Sequence, residues 1–357
     1  MKCWIKQPNR SVVGVWLAWF FVLGSLSGCA EWPYYLQAVE GQLDLMGRRR
    51  SVESLLEETS TQAALHTRLV QAAQMREFAV RELGLGTGGS YRDFADLQRP
   101  YATWVVFAAP EFSLEPKRWC FPWMGCLAYR GYFNQAQARL FADGLRLEGL
   151  DVHDAGSPAY STLGWFDDPL LNTFINWPDR YLAGLIFHEL AHEKLYIRDD
   201  TGFNESFADA VSRVGVERWL RHQGDSGAVA GFLAELATKQ RFLDQVKTTR
   251  ERLGRLYAKT LPMREKRARK RGILAAAAYE GASLETEPGG RGYAEWWRDG
   301  VNNAKLVAVN LYAEWVPTLL ALLARHDGDM QRFYQAVDEL AGLTHDERRE
   351  RLVQLIK

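Results

Sequence analysis

Within Phe187-His188-Glu189-Leu190-Ala191-His192, two imidazoles stand four residues apart with a carboxylate directly after the first. On a helix, positions i and i+4 project from one face, so His188 and His192 can grip one cation while Glu189 reaches a water held by it. Zinc with three protein ligands keeps a fourth position for water and lowers its pKa from about 15.7 to about 7. Two ligands leave that set incomplete. The third is expected from Asn204-Glu205-Ser206-Phe207-Ala208-Asp209. Gly202 lets the chain reverse, and a second helix packed on the first then aims Glu205 at the same ion. Asp209 lies four residues beyond Glu205, where its carboxylate can accept the outer N–H of His188 or His192 and fix the ring tautomer. The competing reading leaves both histidines on a solvated helix surface, with Glu189, Glu193 and Lys194 in ordinary ion pairs.

The elements that must position these groups are legible as periodicity. Leu182 to Phe187 is apolar and suits a buried helix ahead of the histidines. Upstream, Trp104 to Ala109, Leu127 to Phe133, Asp151 to His153 and Tyr160 to Phe166 read as strands, with a helix over Asn134 to Glu148. Tyr34 to Met46 and Ser54 to Leu83 read as two helices broken at Arg48-Arg49-Arg50, forming a hairpin. The glycine-rich stretch from Gly84 to Ser90 has no preceding strand and no following Lys-Ser/Thr, so it reads as a turn rather than a phosphate loop. After Asp209 the pattern is almost wholly helical: Ala228 to Leu261, Ile273 to Glu280, Val301 to Ala324, Met330 to Leu340 and Asp346 to Ile356. The basic run Arg264 to Arg271 reads as a solvated helix face, with contact to anionic lipid as the alternative. The expected fold is α+β, predominantly helical, with a small mixed β-sheet before the zinc helix.

Lys2, Lys6 and Arg10 precede an apolar run from Val12 to Leu26, and Leu26-Ser27-Gly28-Cys29 resembles the lipobox cut by the lipoprotein signal peptidase. The apolar run is shorter than the roughly 20 residues of a spanning helix. Residues 1–28 are therefore expected to be a signal peptide and Cys29 the lipidated first residue. Ala30, in place of an Asp, leads by the usual sorting pattern to an expected place at the outer membrane, facing the periplasm. The chain carries 44 basic and 44 acidic residues, and losing the leader makes it mildly acidic, which does not favour nucleic acid, so none is expected as a partner. With 47% hydrophobic residues it can bury a large core, divided here into residues 29–100 (helical), 101–225 (catalytic core with sheet and zinc helices) and 226–357 (helices packing on that core). Cys120 and Cys126 are the remaining cysteine pair. They read as a disulfide closing a small loop, against the alternatives of a second metal site or a redox pair.

His188-Glu189-x-x-His192 with Asn204-Glu205-x-x-x-Asp209 resembles the gluzincin group of zinc metallopeptidases. More narrowly, the chain is similar to a family of bacterial lipoproteins described as predicted aminopeptidases, through Tyr129-Arg130-Gly131-Tyr132-Phe133, Ala159 to Phe166, the zinc motif, Asn302-Asn303-Ala304, and Tyr312 with Val316-Pro317. The resemblance implies a zincin-like fold, one Zn2+ per chain and a peptide or protein substrate. It makes Glu189 the general base and Asp209 the support of a zinc-bound imidazole. It also implies a sheet edge that pairs with extended substrate, assigned here to Ala159–Gly164, and Tyr312 as the oxyanion donor, with His222, His326 and Arg130 as weaker contenders. An aminopeptidase further needs a carboxylate for the substrate's free ammonium. The GxMEN string that serves this in well-known zinc aminopeptidases is absent, leaving Asp167, Asp168 and Glu314 as candidates. An endopeptidase, a peptidase of cell-wall stem peptides and a noncatalytic envelope lipoprotein are the alternative readings.

Overall fold

The computed structural model describes residues 32–86, 88–121, 125–160, 167–309 and 314–356. In chain order its first elements are α1 (Trp32–Gly47), β1 (Arg49–Ser51), α2 (Val52–Glu57), α3 (Ala63–Leu83), β2 (Asp93–Ala95), β3 (Thr103–Ala109), β4 (Trp119–Phe121), β5 (Gly125–Leu127), β6 (Tyr129–Tyr132), α4 (Gln135–Leu147), β7 (Asp151–Ser157) and β8 (Leu170–Leu171). Then come α5 (Asp179–Lys194), α6 (Thr201–His222), α7 (Ser226–Tyr257), α8 (Met263–Ala282), α9 (Arg291–Arg298), α10 (Asn303–Ala308), α11 (Val316–Arg325), α12 (Met330–Ala341) and α13 (His345–Ile356). The fold is α+β and predominantly helical, and every described strand precedes α5.

The strands form two small three-stranded sheets rather than one. In the first, β2 pairs antiparallel with β1 and parallel with β8. In the second, β3 lies between β6 and β7, antiparallel to both, with Phe107 opposite Tyr129 and His153. Asn134 caps α4 by accepting the N–H of Gln137 at 3.1 Å, and the Ala138, Ala142 and Leu145 side of that helix is buried with Trp104, Val106 and Val152. β4 and β5 form a hairpin with Cys120 opposite Cys126, and a disulfide joins the two.

Four expectations are corrected. Ser54 to Leu83 is two helices, because Thr61 Oγ1 donates to the carbonyl of Leu55 at 2.6 Å and competes with helix continuation. α1 packs on the antiparallel sheet instead of forming a hairpin with α3: Tyr34 stacks on Phe121, and Gly41 leaves room for the Phe133 ring that any Cβ would hit. Ala159 and Tyr160 lie beyond the end of β7, outside any strand, and the rest of the expected 160–166 strand lies outside the described residues. Val301 to Ala324 divides into α10 and α11, with Val309 extended and Pro317 in the first turn of α11, where its missing N–H costs nothing.

The largest core gathers side chains from Leu45 to Leu352, including the buried faces of α3, α5, α6, α11 and α12. A second core lies between the antiparallel sheet and α4, and a third joins α7 to α10. The basic run falls on α8, and it is more than a solvated face. Lys270 is buried, donating to Asp151 Oδ2 at 2.6 Å and to the carbonyl of Glu111 at 2.8 Å.

Candidate metal centre

Leu182, Ala183, Ile186, Phe187, Leu190 and Ala191 make one fully buried stripe on α5, which fixes the rotation of that helix and leaves His188, Glu189 and His192 on the adjoining face. Arg68 holds the entry to α5, donating to Asp179 and to the carbonyls of Ile175 and Trp177. After residues 195–200, α6 folds back along α5. Asp200 caps it by accepting the N–H of Phe203 at 3.1 Å, and Arg348 pairs with the same carboxylate at 2.9 Å. Buried Asn204 accepts the N–H of Ile197 at 2.8 Å and donates to its carbonyl at 2.7 Å, closing the turn. Farther along, Gly215 lies so near Phe187 that a Cβ would come within 2.7 Å of the ring. Close packing of α5 and α6 therefore depends on a glycine and an asparagine.

This packing brings His188, His192 and Glu205 together, each with a ligand atom within 4.8 Å of the others. The two Nε2 atoms are 3.2 Å apart, and Glu205 Oε2 and Oε1 lie 3.5 Å from His188 Nε2 and 3.6 Å from His192 Nε2. With metal–ligand bonds of about 2.1 Å, the edges of a zinc tetrahedron are about 3.4 Å. The three donors fit such an ion, and two imidazoles with one carboxylate form a donor set of catalytic zinc.

Electrostatics set the two imidazoles apart. Burial first, and the neighbouring His188 second, push the His192 imidazole down to about 4, against the opposing pull of Glu205. His192 is thus neutral at physiological pH, as a ligand must be. Burial also opposes a charge on His188, but its hydrogen bond with Glu205 and the charges of Glu189, Glu205 and Asp209 outweigh it and raise its pKa. Glu205 is disfavoured as a carboxylate by burial, yet both imidazoles hold its pKa below the ordinary value. Asp209 does not hold an imidazole in the expected way. Its hydrogen bonds among the described residues go to Arg213, at 2.7 and 3.1 Å, and to Lys239 at 3.4 Å. Two cations outcompete a neutral ring, and Nδ1 of His192 is buried without a hydrogen-bond partner among the described residues.

Three tyrosines lie near enough to Glu205 or to neighbouring carboxylates for those charges to act on their phenols. Tyr129, on the edge strand β6, has its phenol pKa raised by burial and then by Glu205. Tyr160 is raised by burial, then Asp168 and Tyr129. Buried Tyr91 is raised by burial, then Glu189, Asp168 and Glu193, and it sits at a φ of +63°, a strained value for a bulky residue. The backbone just before Tyr91 is tied down on both sides. Arg76 donates to the carbonyls of Gly88 and Ser90, Gly89 N–H donates to Asp167 at 3.0 Å, and Tyr91 N–H donates to the carbonyl of Asp168 at 2.7 Å. A Cβ at Gly88 would come within 2.8 Å of the Glu193 carboxylate. Burial, with Asp168 and Asp167, raises the Glu193 pKa despite a hydrogen bond from Ser90.

The remaining candidates are placed elsewhere. His222 packs on Phe78 and Trp219, 17 residues along α6 from Glu205 and hence about 25 Å away. Arg130 points to the opposite side of β6 from Tyr129, its guanidinium 3.8 Å from the centre of the Tyr34 ring. His326 closes the C-terminus of α11, and Glu314 faces Arg349 in a cleft with Asp199, Asp200 and His345. Tyr312 and Cys29 lie outside the described residues. Asn204 and Tyr129 stand in quoted motifs of the sequence without a role assigned to them, and Tyr91 carries no sequence signal.

Fold and site together define a helix-borne centre of two histidines and one glutamate beside a small antiparallel sheet. The chain belongs to the family described as "Putative aminopeptidase", whose model matches residues 33–352. Comparison with curated proteins and with solved structures gives no match.

Proposed function

We propose that this protein is a zinc-dependent aminopeptidase anchored by lipid in the bacterial envelope, facing the periplasm. The observation that carries the zinc reading is the cluster of His188, His192 and Glu205: the two Nε2 atoms are 3.2 Å apart and the two Glu205 oxygens lie 3.5 and 3.6 Å from them, spacings that suit one cation. When bound there, zinc supplies Lewis acidity for the scissile carbonyl and an acidified water. Glu189 takes a proton from the attacking water and returns it to the amide nitrogen, so that the C–N bond breaks into a carboxylate and a free amine. Tyr129, whose phenol feels the charge of Glu205, is the candidate among the described residues for the oxyanion donor, a role for which the family resemblance points to Tyr312.

Removal of amino-terminal residues, rather than internal cleavage, is supported by Asp167, Asp168 and Glu193. Asp168 and Glu193 act together with Glu189 on the Tyr91 phenol, so carboxylates gather on the side of the proposed base, which suits the ammonium of a free amino terminus. The lipid anchor is supported by the lipobox at Cys29 and by the Cys120–Cys126 disulfide, which fits an oxidising compartment.

The test is metal analysis of the purified protein together with hydrolysis of a peptide mixture carrying free or acetylated amino termini. One zinc per chain, cleavage of free-amino peptides only, and a loss of about 100- to 10,000-fold in Glu189→Gln with zinc retained are expected. Wild-type protein without zinc, or a Glu189→Gln variant of full activity, would discard the enzyme. Equal cleavage of acetylated peptides would replace the aminopeptidase by an endopeptidase.

A further inference from the structure

α1 is built inside out. Against the sheet it buries Gln37, Gly41 and Leu45, with Gln37 Oε1 accepting the N–H of Phe133 at 2.9 Å, while Asp44 pairs with Arg48 and Arg99 at 2.6 and 3.3 Å. Its outward side carries Trp32, Leu36, Val39, Leu43 and Met46, spaced four, three, four and three residues apart and between 37% and 64% exposed. Glu40 is the one charged residue among the exposed positions of this helix. A surface helix of a water-soluble body shows the reverse arrangement. The apolar strip runs the length of the helix, about 24 Å.

The chain before α1 says what covers the strip. Cys29 stands three residues before Trp32, and three residues reach no farther than about 11 Å. Lipid on Cys29 therefore holds the first turn of α1 at the bilayer boundary, with an exposed Trp at the leading end, the residue type that favours the headgroup region. We propose that the outward strip of α1 lies in the headgroup boundary of a phospholipid bilayer and acts as a second membrane contact beside the lipid. Its placement rests on the lipoprotein reading. Because α1 packs on the sheet whose edge carries Tyr129, this contact sets the orientation of the metal centre to the membrane.

The full-length gene is expressed as wild type, Leu36→Cys, Leu43→Cys and, as a control on α4, Leu140→Cys, whose native side chain is 76% exposed. Each cysteine receives an environment-sensitive fluorophore, and the protein is placed in vesicles of phosphatidylethanolamine and phosphatidylglycerol. Mass analysis of the amino-terminal peptide reports lipid on Cys29. Blue-shifted emission at 36 and 43, quenched by nitroxide lipids at least threefold more than at 140, is expected. Lipidated protein whose 36 and 43 labels stay as wet as 140 overturns the strip and leaves the anchor standing. Cross-linking of position 36 between two copies also overturns it, assigning the strip to a dimer. If Cys29 carries no lipid but the 36 and 43 labels still enter added vesicles, the strip stands and the anchor falls; if they stay wet, both fall.

Discussion

Asn204 clasps both backbone polar groups of Ile197, accepting its N–H at 2.8 Å and donating to its carbonyl at 2.7 Å. The next residue is Glu205, so this clasp fixes the start of α6 and with it the carboxylate of the third donor. Asn204→Ala strands both groups of Ile197 and is expected to destabilise the metal-free protein by about 2 kcal/mol, with zinc affinity falling a further 10- to 100-fold. Denaturant unfolding and zinc titration measure the two effects separately. Asn204→Asp keeps the acceptor and loses the donor, so it should fall between. An unchanged zinc affinity in Asn204→Ala would remove the positioning role.

Gly215 and Phe187 make the complementary contact at the middle of α6. A methyl at 215 would lie 2.7 Å from the Phe187 ring and 2.8 Å from Leu83, and Phe187 directly precedes His188. Gly215→Ala is therefore expected to lose about 1–3 kcal/mol through overpacking, and to lower zinc affinity by tilting α5. Gly272 on α8 has open space around its Cβ position, so Gly272→Ala should stabilise the protein by about 0.5–1 kcal/mol. Thermal unfolding of the two variants gives opposite signs if the close approach is what requires glycine at 215.

The contrast between these two glycines marks how far the sequence could be read. His188, Glu189 and His192 were legible because their meaning follows from spacing along one helix, and Glu205 because a turn and a second helix sufficed to bring it near. Strands β3, β6 and β7 and helix α4 follow local periodicity and stand where it put them, within a few residues. What escaped depends on pairing across the chain. Asp209 is the clearest case: its spacing from Glu205 suggested an imidazole partner, but Lys239 arrives from α7, 30 residues later, and takes the carboxylate with Arg213. Tyr91 follows a glycine-rich stretch and carries no motif, while Tyr129 belongs to the Tyr129–Phe133 string of the family resemblance, which says nothing of a place near Glu205. α1 was legible as a helix, whereas the side it turns outward was not, since the packing of Gly41 on Phe133 decides it.

The Asp209 cluster gives the protein a defined acid sensitivity. Burial alone would raise this carboxyl, but Lys239 and Arg213 hold its pKa below the ordinary value of about 3.9. The unfolded chain thus binds this proton more readily than the folded one. The stabilisation is full above about pH 4 and is lost as pH falls through the lower folded value. Asp209→Asn should be less stable than wild type at pH 7, with the gap narrowing below pH 4. Urea midpoints measured from pH 7 to pH 2 check it, and a gap independent of pH would assign the loss to packing instead.

Lys270 and Asp151 join the carboxy-terminal helices to the sheet. Lys270 Nζ lies 2.6 Å from Asp151 Oδ2, which also accepts the N–H of Asn303 at 2.9 Å, while Asn303 Nδ2 donates to the carbonyls of Pro110 and Glu111 and its Oδ1 accepts the Tyr257 hydroxyl at 2.7 Å. Removing one partner of a buried ion pair leaves an uncompensated charge, so Lys270→Met is expected to lose about 3–5 kcal/mol. Asp151→Asn in the same chain removes that charge and keeps an acceptor for Asn303, and should restore most of the loss. Because the proposed metal ligands lie on α5 and α6, any zinc content per folded molecule found in the wild type is expected to be unchanged in both variants. Unfolding followed by tryptophan fluorescence, alongside zinc release, distinguishes a loosened sheet–helix joint from collapse of the centre, since only the latter makes the two signals move together.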